Sequence, residues 1–210
     1  MPETSSVLGV DRRAWNNALL TLSRWRLVGE ERDPLTIIRA LARQIDTSIP
    51  EATIRAATDV RIERFRQALM RIPDQNLAAL KQLRAAGYRL GLISNADSME
   101  VAAWKQCPAA QLFDVAIFSC DVGLVKPEPE IYQLCLELLG LDAGECLFVG
   151  DGGSDELQGA KSVGMPVAFV HGIIDDLWPD RVASHSARRE VANYTVRFIP
   201  ELLNVLVRVV

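Results

Sequence analysis

The 210-residue chain is 49% apolar and 24% charged, the proportions of a soluble folded protein, with length enough for one α/β domain and a modest insertion. A net charge of −4 lacks the strongly basic balance of a nucleic-acid or anionic-membrane binder. No basic segment leads into an apolar run at the start, and no run of about 18 apolar residues occurs, so neither secretion nor membrane spanning is expected.

The charge is unevenly placed. Residues 1–73 contain twelve arginines, no lysine and nine acids, a balance of +3, which leaves −7 for the remainder. Such a segment reads either as solvated helix faces or as a basic lid over an anionic substrate. Cys107, Cys120, Cys135 and Cys146 are eleven or more residues apart with no Cys-x-x-Cys pair. His171 and His185 complete no familiar zinc spacing. Buried, reduced thiols are therefore expected, in a cytoplasmic protein.

The first seventy residues read as helices. Arg13–Val28 carries a helical stripe of Trp15, Leu19, Leu22 and Trp25. Asp33-Pro34 is an N-cap followed by proline at the first helical position, opening a helix to about Gln44. Ile49-Pro50-Glu51 opens a longer one toward Met70, and Pro73 breaks the pattern. Helix and strand then alternate. Helices are expected at Asn76–Ala86, Ser98–Lys105, Glu128–Leu139 and Ser154–Val163, and strands at Tyr88–Ser94, Val115–Ser119, Cys146–Val149 and Val167–Val170. Residues 195–198 add an edge strand before a final helix. Short apolar strands separated by helices of about ten residues are βα units on a parallel sheet. The expected organisation is a helical domain over 1–73 and an α/β domain over 74–210.

In open parallel sheets, ligands bind beyond the carboxyl ends of the strands. The first strand is followed there by Ser94-Asn95-Ala96-Asp97. The second is followed by Cys120-Asp121 and Gly123-Leu124-Val125-Lys126-Pro127, and the third by Gly150-Asp151-Gly152-Gly153-Ser154-Asp155-Glu156. A glycine-rich turn opening a helix favours phosphate on backbone N–H groups, yet Asp151 and Asp155 would repel a bare pyrophosphate. The dinucleotide fingerprint fails because Asp155 stands at its last glycine, and a calcium loop of the EF-hand type fails at Gly153 and Glu156. Magnesium reconciles the two tendencies, since it takes one or two carboxylates plus water and substrate phosphate oxygens. The structural alternative is that Asp151 starts a turn and Asp155 caps the helix. Ser94 alone reads as a turn or cap residue, and Lys126 alone as a surface charge.

Taken in order, Ser94-Asn95, Lys126-Pro127 within Gly123–Tyr132, and Gly150–Glu156 resemble the second, third and fourth motifs of the haloacid dehalogenase superfamily. The helical segment resembles the family's α-helical cap, and the resemblance spans about residues 8–204. It implies a Rossmann-like parallel-sheet core with a helical cap. It further implies a magnesium-dependent phosphatase for a small phosphorylated metabolite, working through an aspartyl-phosphate. Ser94 and the Asn95 N–H would hold phosphoryl oxygens, and Lys126 would offset charge and position the nucleophile. Asp151 would bind magnesium, and Asp155 would support the metal or the lysine. Phosphoryl transfer needs positioning and charge neutralisation above all, and a closing cap would exclude water and select the substrate.

The family's first motif, a strand ending in Asp-x-Asp-Gly-Thr, is expected before the cap and is central in the family's sheet. No Asp-x-Asp occurs in this sequence. Asp97 and Asp121 follow strands, but Met99 and Gly123 stand where the second aspartate belongs. The reading adopted is that the natural protein starts upstream of Met1. The chain as given is then inactive and short of its first core strand. The alternative is a relative that binds a phosphorylated ligand without turnover. A metal-independent 2-haloacid dehalogenase ranks below both, because Asp151 and Asp155 favour a metal.

Overall fold

The computed structural model describes residues 1–177 and 185–206. Five helices open the chain: α1 (Thr4–Leu8), α2 (Arg12–Thr21), α3 (Ser23–Leu27), α4 (Pro34–Ile45) and α5 (Glu51–Met70). The alternating part follows with α6 (Asp74–Ala85), β1 (Gly91–Ser94), α7 (Ser98–Val101), β2 (Val115–Phe118), α8 (Ser119–Val122), α9 (Pro129–Leu139) and β3 (Phe148–Gly150). It ends with α10 (Glu156–Ser162), β4 (Val167–Val170), α11 (Gly172–Leu177), α12 (Ser186–Val191), β5 (Tyr194–Val196) and α13 (Leu202–Leu206).

The contacts divide the chain into two compact units. One comprises Met1–Ile72, Ser94–Ala110 and Phe118–Val125; the other comprises Pro73–Ile93, Gln111–Ile117 and the described part of Lys126–Val210.

The first unit is helical. Asp33 caps α4 by accepting the Thr36 N–H at 2.8 Å, and Pro34 supplies the first-turn φ. The stripe that follows buries Ile37, Ile38 and Leu41 completely against Trp15, Ile54 and Met99. The inner face of α5 runs Ile54, Ala57, Thr58 and Arg61 at helical spacing, so a cation ends an otherwise uncharged stripe. The single helix expected over Arg13–Val28 is two. Leu22 leaves helical geometry at φ −97° and ψ 19°, and the redirected α3 carries Arg26 into the interior.

The second unit holds most of the strands. β3, β4 and β5 are parallel, with Phe148 opposite Val167, Gly150 opposite Phe169 and Ala168 opposite Tyr194. The expected edge strand is thus present, starting one residue and ending two residues earlier than the sequence indicated. The strand expected from Tyr88 begins at Gly91. The Leu90 N–H goes instead to the Asp114 carboxylate at 2.8 Å, while the Leu90 carbonyl accepts from the Asp114 and Val115 N–H groups.

Among the described residues the strands form two sheets, β1–β2 and β3–β4–β5, with no ladder joining β1 to β3. One helix serves both. A side chain at Gly91 of β1 would meet Cys135 Sγ of α9 at 2.8 Å. The Tyr132 ring of α9 packs edge-on to Phe148 of β3, with centroids 5.4 Å apart.

Candidate active site

The loop after β3 carries the densest polar chemistry of the second unit. Gly152 has φ +77°, where a side chain is strained, and a Cβ there would fall 2.7 Å from Cδ of Arg188 on α12. Ser154 and Asp155 also hold positive φ, 52° and 51°, without being glycine. Each such residue costs on the order of 1–2 kcal/mol, so the loop stores strain where its carboxylates are displayed. Asp151 and Asp155 are both exposed.

The turn half of the structural alternative is present: Asp151 Oδ1 accepts the Gly153 N–H at 2.7 Å. The capping half is not, because Asp155 makes no side-chain cap bond to α10.

Lys126 is held by a residue that the sequence reading did not single out. Its Nζ donates to Glu156 Oε2 at 2.6 Å, with the two side chains 12% and 7% exposed. The other oxygen, Glu156 Oε1, accepts the Gly152 N–H at 3.1 Å, and the Tyr132 hydroxyl donates to the Glu156 carbonyl at 2.8 Å. A carboxylate beside that hydroxyl, together with burial, pushes the Tyr132 phenol well above its ordinary range, burial being the larger cause. Gly159 on α10 makes the approach possible, since a Cβ there would lie 2.6 Å from the Pro127 carbonyl oxygen. Glu156 thus ties the lysine of the third motif to the glycine turn of the fourth. The one sequence signal for it was a third acid directly after Asp155.

These carboxylates fit a hard cation. Glu156 is occupied by Lys126 and Gly152, which leaves Asp151 and Asp155 as the displayed oxygen donors. Among the described residues no group of three or more His, Cys, Asp or Glu side chains converges on a metal position. A cation here would draw at most two protein carboxylates and take its other ligands from water, backbone or a bound phosphate, which is how magnesium is commonly held.

Ser94 and Asn95 belong to the first unit. Ser94 ends β1, and both residues are half-buried. Ser119 Oγ accepts the Ala96 N–H at 3.0 Å and donates to the Ala96 carbonyl at 3.2 Å, joining the segments that follow β1 and β2. Asp97 is fully buried and caps α7 in a capping box with Glu100. The five expected site residues therefore fall in two sets, Ser94 with Asn95 in one unit and Lys126 with Asp151 and Asp155 in the other.

The haloacid dehalogenase-like hydrolase family matches residues 6–164. The chain belongs to this family. The dehalogenase-like chain is 27% identical over 174 residues to a glyceraldehyde 3-phosphate phosphatase of Methanocaldococcus jannaschii, covering 81% of this chain and 69% of that one. It is 32% identical over 130 residues to the bifunctional epoxide hydrolase 2 of Mus musculus, covering 60% of this chain but only 21% of that protein. A solved HAD phosphatase from Thermococcus onnurineus superposes with a TM-score of 0.61 at 27% identity, over 97% of this chain and 85% of that one. The HAD-like α/β fold with cap-type helices follows from these matches. Among the described residues no helix is long and apolar enough to cross a membrane.

Proposed function

We propose that this HAD-like chain carries the cap and the charge-neutralising loops of a magnesium-dependent phosphatase for small phosphate esters, with the helical cap over 1–73 and the α/β core over 74–210. The observation that carries the reading is the Glu156 clamp. One buried carboxylate holds Lys126 and the Gly152 N–H together and leaves Asp151 and Asp155 displayed on a strained turn. The relatives named glyceraldehyde 3-phosphate phosphatase support a small phosphorylated substrate.

In this reading Asp151 and Asp155 hold the metal, which when bound would neutralise charge on the phosphoryl group. Lys126 presents its ammonium to the same anion, its direction set by Glu156. The Ser94 hydroxyl and the Asn95 N–H donate to phosphoryl oxygens. Each group lowers the charge that a nucleophile must approach. The aspartate nucleophile of the family has no counterpart in this sequence, which contains no Asp-x-Asp. Loss of a catalytic nucleophile removes turnover by about a million-fold, roughly 8 kcal/mol. The 210 residues alone are therefore expected to bind without releasing phosphate, and the natural protein is expected to supply the nucleophile from outside them. A cytoplasmic location belongs to the same reading and rests on four free cysteines.

The absent Asp-x-Asp also favours a second reading, a relative that binds a phosphorylated ligand and does not turn it over. The test is to isolate the natural protein, determine its intact mass and assay phosphate release from a panel of small phosphomonoesters. Magnesium-dependent release that Asp151→Asn abolishes supports the phosphatase. Magnesium-dependent binding without release moves the protein to the binding class. Metal-independent dehalogenation without phosphate release overturns both.

A further inference from the structure

The first unit contains a cluster of four charges that the phosphatase reading does not use. Arg26 of α3 donates from Nη1 to Asp97 Oδ2 at 2.8 Å. Arg61 of α5 donates from Nη2 to Glu100 Oε1 at 2.9 Å and lies 3.6 Å from Asp97 Oδ2. Asp97 is the hub. Its carboxylate has no exposure and its other oxygen accepts the Met99 and Glu100 N–H groups.

Stability alone is a poor account of this cluster. Burial is the largest influence on both Glu100 and Arg61, pushing the carboxyl up and the guanidinium down despite their pairing. The Nε atoms of Arg26 and Arg61 are buried without hydrogen-bond partners among the described residues. Removing such charges from water generally costs more than their attraction returns, whereas a buried charge cluster can impose one geometry. What it fixes is specific. Asp97 lies two residues after Asn95, and α7, which Asp97 and Glu100 cap, begins at Ser98. The neighbouring loop is fastened by the same kind of residue. Arg32 Nη2 donates to the Cys120 carbonyl at 2.6 Å, and Ser98 Oγ donates to the Arg32 carbonyl at 2.7 Å. Arg26 and Arg61 are thus neither a solvated helix face nor a lid over substrate. They are turned inward, onto the loops.

We infer that Arg26, Arg61, Asp97 and Glu100 are positioning residues that lock the Ser94-Asn95 segment to helices α3 and α5, so that phosphate recognition depends on the cap's buried arginines. The inference rests on the phosphate role proposed above for Ser94 and Asn95. Each arginine reaches both carboxylates through a single nitrogen, Nη1 of Arg26 and Nη2 of Arg61, and the shorter, strongly hydrated lysine ammonium would keep the charge with less reach.

The experiment compares Asp97→Asn, Arg61→Met and Arg61→Lys by three measurements on the full chain. These are hydrogen exchange over residues 94–101, magnesium affinity, and orthophosphate affinity at saturating magnesium, all well below the unfolding temperature. Faster exchange in the segment is expected in every variant that folds. A tenfold or greater loss of orthophosphate affinity is expected with magnesium affinity unchanged, since a misplacement of about 1 Å can cost up to a hundredfold. Arg61→Lys should fall between wild type and Arg61→Met. A folded Asp97→Asn or Arg61→Met variant with wild-type exchange and phosphate affinity overturns the inference. So does an equal loss of magnesium and phosphate affinity, which marks general destabilisation. If the wild type binds no phosphate, the functional reading fails, and the exchange measurement alone decides whether the arginines hold the segment.

Discussion

Replacing Glu156 by Gln leaves its shape almost unchanged and removes the carboxylate to which Lys126 donates. The Lys126 side chain is 12% exposed and that of Glu156 7%, at 2.6 Å, so the variant leaves a nearly buried ammonium facing a neutral amide. Breaking a buried ion pair from one side costs about 3–5 kcal/mol. The amide oxygen of Gln still accepts the Gly152 N–H, and the residual exposure of Lys126 relieves part of the penalty, so about 2–4 kcal/mol is expected. For a chain of this length each kcal/mol moves Tm by about 2–4 °C, which places the variant roughly 4–16 °C below wild type. The assay is urea unfolding followed by fluorescence and circular dichroism, where the midpoint should fall at constant slope. Adding Lys126→Met should recover part of the loss, because the buried charge facing the amide is then removed. An Glu156→Gln variant within about 0.5 kcal/mol of wild type, the range of ordinary surface changes, would refute the clamp.

Three further outcomes follow from the same geometry. Gly159→Ala sets a methyl against the Pro127 carbonyl and the Tyr132 hydroxyl, each 2.6 Å from the added carbon, and should cost about 1–3 kcal/mol by urea unfolding. Burial raises the thiols of Cys120 and Cys135 to about 11, so at pH 8 their thiolate fraction is on the order of a thousandth. Site-resolved alkylation should label both about a hundredfold more slowly than an ordinary exposed thiol. Glu100 has a folded-state pKa raised by burial and then by Asp97, so the native state binds more protons than the unfolded state across the interval between the two values. Its contribution to stability is present at acid pH and is lost as pH climbs from the ordinary glutamate range through the raised value. The stability of wild type relative to Glu100→Gln should fall over that interval, as read by unfolding at a series of pH values.

Periodic and capped elements were legible in the sequence. Asp33-Pro34 followed by an apolar stripe fixes α4, and the β3–α10–β4 unit follows from two apolar runs around a glycine-rich turn. The break at Leu22 was not legible, because neither glycine nor proline marks it and the Trp15-to-Trp25 stripe runs through it. Glu156 pairs with Lys126 just beyond a turn with left-handed backbone at Ser154 and Asp155. Neither residue type announces that conformation. Arg61 sits on the buried stripe of α5 at helical spacing, so its position was readable. Its partners are 36 and 39 residues away, and an arginine read without its partners is taken for a solvated charge.

The most direct test of the central claim is thermal unfolding of the chain with orthophosphate, with magnesium and with both, in wild type and Asp151→Asn. If Asp151 holds a cation that helps to bind phosphate, the two ligands together at about a hundred times the dissociation constant should add about 2.7 kcal/mol, a rise in Tm of roughly 5–11 °C. Neither ligand alone should reach that stabilisation, and Asp151→Asn should abolish it. Equal stabilisation by phosphate in the presence of EDTA, or an undiminished response in Asp151→Asn, would contradict a metal-assisted phosphate site on the loop after β3.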